Sequence, residues 1–173
     1  MKKHITLLAA ACLLAVSTSQ AGTLWDTVGD FFAQNPTNSW DLSAYGLKNL
    51  STDPPGIANG LGGGARVGYW LTPNIGAALD VSYCETSWTF ASLGIAARGT
   101  FHIGSLDVTP YISAGPGWNI DAKGLGPEIV ALAGGGASVT LKKWPSWAAF
   151  AEYTTVLTEK EQRRVVFGLT KRF

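Results

Sequence analysis

Two hydrophobic periods divide this chain. In residues 23–34 the apolar side chains Leu24, Trp25, Val28, Phe31 and Phe32 fall on one stripe. Asp26, Asp30 and Gln34 take the other side, the signature of an amphipathic helix that Asn35-Pro36 ends. From Trp40 onward the period drops to two, that of a β-strand. Strands are predicted at 40–47, 61–72, 75–83, 88–102, 106–115, 128–141, 147–156 and 164–173. In the third, Ile75, Ala77, Leu79, Val81 and Tyr83 share one face, against Gly76, Ala78, Asp80 and Ser82. In the fourth, Leu93, Ile95, Ala97 and Phe101 oppose Ala96, Arg98, Thr100 and His102. Its first half (Trp88, Phe90, Ser92) has the opposite parity, which predicts a bulge or a loop there. Pro110 is awkward inside the fifth strand, since proline cannot donate to a ladder.

The connections alternate in length. Those at 72–74, 103–105 and 142–146 are short, and the alternate ones include the two longest, 48–60 and 116–127. Eight strands of this length, each near the ~9–11 residues needed to cross a bilayer at a tilt, predict an all-β fold. The architecture is an eight-stranded antiparallel transmembrane β-barrel spanning 37–173, preceded by the short N-terminal amphipathic helix in 22–36. Short turns belong on the periplasmic side of such a barrel, together with both chain ends. Trp25, Trp40, Trp70, Trp144 and Trp147 then fall near the periplasmic ends of strands, and Tyr83, Trp88 and Trp118 near the outer ends, as two aromatic girdles.

Residues 1–21 have the plan of a cleaved secretory signal: Lys2 and Lys3, an apolar run from Ile5 to Val16, and small residues ending at Ala21. Lipoprotein processing at Cys12 is disfavoured because Cys12 sits inside the apolar run. On losing Lys2 and Lys3, the 13 basic residues fall to 11 against 12 acidic ones, a net charge near −1. A nucleic-acid partner is therefore not expected. Cys84 is left alone, so no internal disulfide forms. Charged residues make up 14% of the chain, well under the ~25% of soluble domains. No run of 18 apolar residues offers a membrane-spanning helix.

Sorting by parity collects Arg66, Asp80, Arg98, Asp107, Glu152 and Arg164 on the inward faces, with Arg172 at the edge of the set. Lys171 is the outward exception. Arg98 is expected to pair with Asp80 or Asp107. An interior this narrow is just filled by side chains, which favours a closed polar core over a pore. The glycines of 60–64 lack the Lys-Ser/Thr of a phosphate loop, and Gly134-Gly135-Gly136 lies within a strand, where it permits a bend or close packing. His102, a lone His at a strand end, reads as structural or interfacial because a catalytic His needs an oriented partner, and Cys84 has no His near it in sequence. No catalytic residue, cofactor or metal is expected.

The last strand is the most specific motif. Val165, Phe167, Leu169 and the terminal Phe173 alternate with Arg164, Val166, Gly168, Thr170 and Arg172. This resembles the C-terminal assembly signal of outer-membrane barrels, with Phe167, Leu169 and Phe173 as its apolar positions; Lys171 departs from it. The chain as a whole is similar to the OmpA transmembrane domain and the OmpX-like small barrels. That resemblance implies a bacterial outer-membrane location, contact with outer-membrane lipids and recognition of the C-terminal strand by the barrel-assembly machinery. It also implies a structural or surface-interaction role, and the expected state is a monomer. No peptidoglycan-binding segment follows Phe173, so OmpA-type anchoring is not expected. A helix ahead of an eight-stranded barrel is similar to the lipid A palmitoyltransferase layout. An acyltransferase or deacylase needs His with Ser and an acid near the outer surface, and His102 falls at the periplasmic end; a small pore is the other alternative. The helix has two possible placements, on the membrane boundary or against the periplasmic opening.

Overall fold

The computed structural model describes residues 35–50, 60–85, 88–122, 128–157 and 162–173. The predicted signal at 1–21 and helix at 23–34 lie outside these residues. The strands are β1 (Ser39–Asn49), β2 (Leu61–Trp70), β3 (Ile75–Cys84), β4 (Trp88–Arg98), β5 (Phe101–Ile103), β6 (Leu106–Ala122), β7 (Glu128–Leu141), β8 (Trp147–Leu157) and β9 (Gln162–Arg172). All pairings are antiparallel, and β9 pairs back onto β1, with Asp41 opposite Arg172 and Asn49 opposite Arg164. β4 and β5 both pair with β6 and make one stave. The nine strands thus close an eight-staved barrel. Closure gives each strand two neighbours, which a sheet surrounded by lipid requires.

Proline accounts for the break between β4 and β5. Arg98 faces Tyr111 and Phe101 faces Val108, which sets Gly99 against Pro110. The Gly99 N–H donates to the Pro110 carbonyl at 3.2 Å. Proline has no N–H to return. β6 also runs to Ala122, where a loop from 116 is predicted, with Pro116 opposite Ala131 in the β7 ladder. Its missing donor falls where the β4 pairing skips residues 115 and 116.

The irregularity predicted early in the fourth strand is present, between Thr89 and Phe90. The change of face is not: Phe90, Ala96 and Arg98 are all buried, while Leu93, Ile95 and Ala97 are exposed. Phe90 instead packs inside with Val130, Val156 and Leu132. Gly117 makes that possible, because a Cβ there would stand 2.3 Å from the Phe90 Cζ.

The alternation is clearest in β8. β8 switches between exposed and buried at every residue from Trp147 to Thr154. Leu42, Leu79, Ile112, Ile129, Phe167 and Leu169 are exposed on the outer face. The short turns lie together at one end, joined by backbone bonds from Arg98 to Asn74, Lys142 to Ser105 and Arg172 to Ser146. Phe173 finishes the seam there. Its N–H donates to the Trp40 carbonyl at 2.9 Å, and the Trp40 N–H to its carbonyl at 3.3 Å. Deleting Phe173 removes both bonds and an outward ring, so the folded, heat-modifiable fraction recovered from cells should fall. An unchanged folded yield would show that closure does not depend on this residue.

Candidate functional site in the barrel interior

The centre of the barrel is organised by one guanidinium. Arg66 on β2 lies directly opposite Asp80 on β3, and its Nε donates to Asp80 Oδ2 at 3.0 Å. Its two terminal nitrogens reach across the lumen to Glu152 on β8, donating to Oε2 at 2.6 Å and Oε1 at 3.0 Å. That bidentate bridge joins staves with β1 and β9 between them. Planar guanidinium suits such a fork, which a lysine could not reproduce.

The carboxylates are satisfied further. The Tyr45 hydroxyl donates to Asp80 Oδ1 at 2.6 Å. Tyr111 donates to Glu152 Oε2 and Thr154 to Oε1, both at 2.8 Å. Each of the four carboxylate oxygens accepts at least one hydrogen bond. Arg66 also lies 5.7 Å from the Tyr45 ring centre and 5.8 Å from that of Phe150. Gly64, in the glycine run of β2, is what lets Tyr45 reach Asp80: a Cβ there would come within 2.4 Å of the Tyr45 hydroxyl oxygen.

A second group closes the end that carries the short turns. Arg98 stacks 3.6 Å from the Trp70 ring centre and donates to the Pro73 and Pro36 carbonyls at 3.0 and 3.2 Å. Its acid is Asp41 at 3.8 Å, not Asp80 or Asp107 as expected. Asp41 also accepts from Trp70 Nε1 at 2.6 Å. Trp70 is therefore a lumen residue, not part of a girdle. Its parity with Arg66 already indicated as much. Asn35 is drawn into the same mouth, where the Thr100 hydroxyl donates to its Oδ1 at 2.7 Å.

The remaining predicted residues are separate. Asp107 sits at the rim, where its Oδ1 meets His102 Nδ1 at 2.5 Å, and it takes no part in the Arg66 network. β6 begins at Leu106, so an inward side chain one residue later is still at the opening. Arg164 is buried towards the opposite end, 4.4 Å from the Phe90 ring centre, and forms no ion pair among the described residues. Arg172 bonds Ser138 Oγ at 3.2 Å. Asp41 and Tyr45 were missed in the sequence, although the parity of 40–47 places both on one face with Ser43 and Leu47.

A cavity of about 130 Å³ threads between these groups, lined among others by Asp41, Arg66, Tyr111 and Arg164. At roughly 10–15 Å³ per water it has room for about ten waters. The described residues contain no group of three His, Cys, Asp or Glu side chains suited to a metal. The arrangement fixes charge in place.

No family model matches the chain, and no curated protein matches it by sequence. Solved structures do match it in shape. The N-terminal β-barrel domain of Pseudomonas aeruginosa OprF superposes with a TM-score of 0.55 at 21% identity, covering 79% of this chain and 98% of that domain. Neisserial surface protein A gives 0.52 at 15% identity, covering 78% and 96%. The outer-membrane protein OprG of Pseudomonas aeruginosa gives 0.51 at 10% identity, covering 83% and 99%. At these identities the likeness is one of fold, and the chain has the closed eight-stranded barrel fold of small bacterial outer-membrane proteins.

Proposed function

We propose that the mature chain is an integral outer-membrane barrel with a structural or surface-interaction role and a filled interior that does not conduct ions. The Arg66–Glu152 bridge carries this reading. It crosses the lumen at 2.6 and 3.0 Å, and Asp80 holds the same guanidinium from the adjacent strand. An ion would have to part a buried, doubly bonded pair to pass.

Location rests on three supports: the export signal pattern at 1–21, the exposed apolar belt and the fold. Lipid contact, recognition of the C-terminal strand during assembly and a monomeric state belong to the same reading. Lipid A chemistry is disfavoured by the position of His102. It lies at the end with the short turns, which faces the periplasm in this orientation.

Cell fractionation combined with a heat-modifiability gel tests the location. The expected result is a mature protein beginning at Gly22 that sediments with outer membranes and shifts mobility on boiling. Recovery as freely soluble periplasmic protein would remove the membrane reading. In planar bilayers the purified barrel should show no steady current, and a stable open channel would replace the filled-core reading with a small pore.

A further inference from the structure

Lys171 breaks the outward apolar run of Val165, Phe167, Leu169 and Phe173, and its surroundings give it a purpose. Its ammonium lies 5.3 Å from the ring centre of Trp147, its direct partner across the β8–β9 ladder, and 5.5 Å from that of Phe173. The adjoining turn adds Lys142 and Lys143, both exposed, with Lys143 Nζ 5.9 Å from the Trp144 ring centre. That turn is braced by backbone bonds from Trp144 to Leu141 at 2.8 Å and from Trp147 to Trp144 at 3.0 Å. Trp144, Trp147 and Phe173 are 57%, 49% and 67% exposed.

Among the described residues, the exposed positive charge at this end lies along one arc of the rim. None of the three lysines forms an ion pair among the described residues. At the same end, turn 71–74 carries no charge, and beside turn 103–105 the charged side chain is the carboxylate of Asp107, in contact with His102. Even with the carboxylate of Phe173, the arc from the β7–β8 turn to the end of β9 keeps a positive excess. Tryptophan rings settle at headgroup depth. Ammonium groups resting on such rings are held at the same depth, where cation–π contact and phosphate attraction act together.

We propose that Lys142, Lys143 and Lys171, with Trp144 and Trp147, form a binding site for the phosphate of an anionic phospholipid in the periplasmic leaflet. The site rests on the membrane reading above, and its test separates the two.

The full mature chain is refolded into vesicles of roughly four parts phosphatidylcholine to one part phosphatidylglycerol, a mixture that offers an anionic and a neutral headgroup in one bilayer. Lipid that stays bound on release from the bilayer is then counted by native mass spectrometry. Phosphatidylglycerol should be enriched over its bulk share, and enrichment should fall on the order of fivefold for each lysine replaced by glutamine. Lys142→Gln/Lys143→Gln alters only an exposed turn, so it reports on the site even if Lys171→Gln impairs folding. Lys48→Gln, on an exposed position near the other end of β1, should change nothing. A wild-type ratio equal to bulk, or enrichment that survives all three substitutions, overturns the site and leaves the barrel intact. Failure of the wild type to reach a heat-modifiable form in any vesicle would overturn the membrane reading, and the site with it.

Discussion

Replacing Glu152 with alanine will destabilise the barrel by about 3–5 kcal/mol, the cost of stranding a buried charge. The Glu152 side chain is 2% exposed and Arg66 only 21%, so water reaches the pair only through the lumen cavity. The substitution removes both bonds from the Arg66 fork and leaves the Tyr111 and Thr154 hydroxyls without their acceptor. Asp80 remains beside Arg66 and limits the loss. Urea unfolding from lipid vesicles measures the effect. A double-mutant cycle with Arg66→Met isolates the pair, because removing both charges should cost less than the two single changes added together. A Glu152→Ala loss below about 1 kcal/mol would mean that water already screens the bridge. The interior would then be too wet to count as filled.

How much of this could be read from the sequence follows from what each side chain meets. Along β3 and β7 one face points outward and the other into the lumen, so period-two sorting works; the predicted 128–141 coincides with Glu128–Leu141. It fails where an apolar residue has a place inside. Phe90 reads as lipid-facing, yet it fills the lumen with Val130 and Val156 and supports the Arg164 guanidinium. Trp70 misleads for the same reason: an indole has both an apolar ring for Arg98 and an N–H for Asp41. The two prolines misled differently. Each removes one donor but keeps an extended φ, so Pro110 interrupts only the stave opposite and Pro116 does not end β6. The inward charges were legible as a set. Their pairing was not, because it depends on register and on distance across the lumen. Arg66 and Asp80 are cross-strand partners once β2 and β3 are aligned, but no local pattern links Arg66 to Glu152, 86 residues on.

The outer belt has its own test. Leu79 lies in the middle of β3, opposite Val67 on β2 and Leu93 on β4, and is 53% exposed. Its neighbour Asp80 points into the lumen and is held by Arg66 and Tyr45. One step along the strand therefore separates a charge that is welcome from one that is not. Leu79→Arg should cost about 2–4 kcal/mol in lipid, the range for arginine near mid-membrane. Ala97→Arg makes the same change on the same outer face, but Ala97 is the penultimate residue of β4 and faces Ile75, the first of β3. There a long side chain can bring its charge to the headgroups, and the cost should fall to about 0–1 kcal/mol. Urea unfolding of both variants in the same vesicles gives the comparison. If Leu79→Arg costs no more than Ala97→Arg, the apolar belt is not centred on these strands. If both fold as well as the wild type, the outer face does not meet lipid, and the exposed Leu, Ile and Phe side chains need another partner.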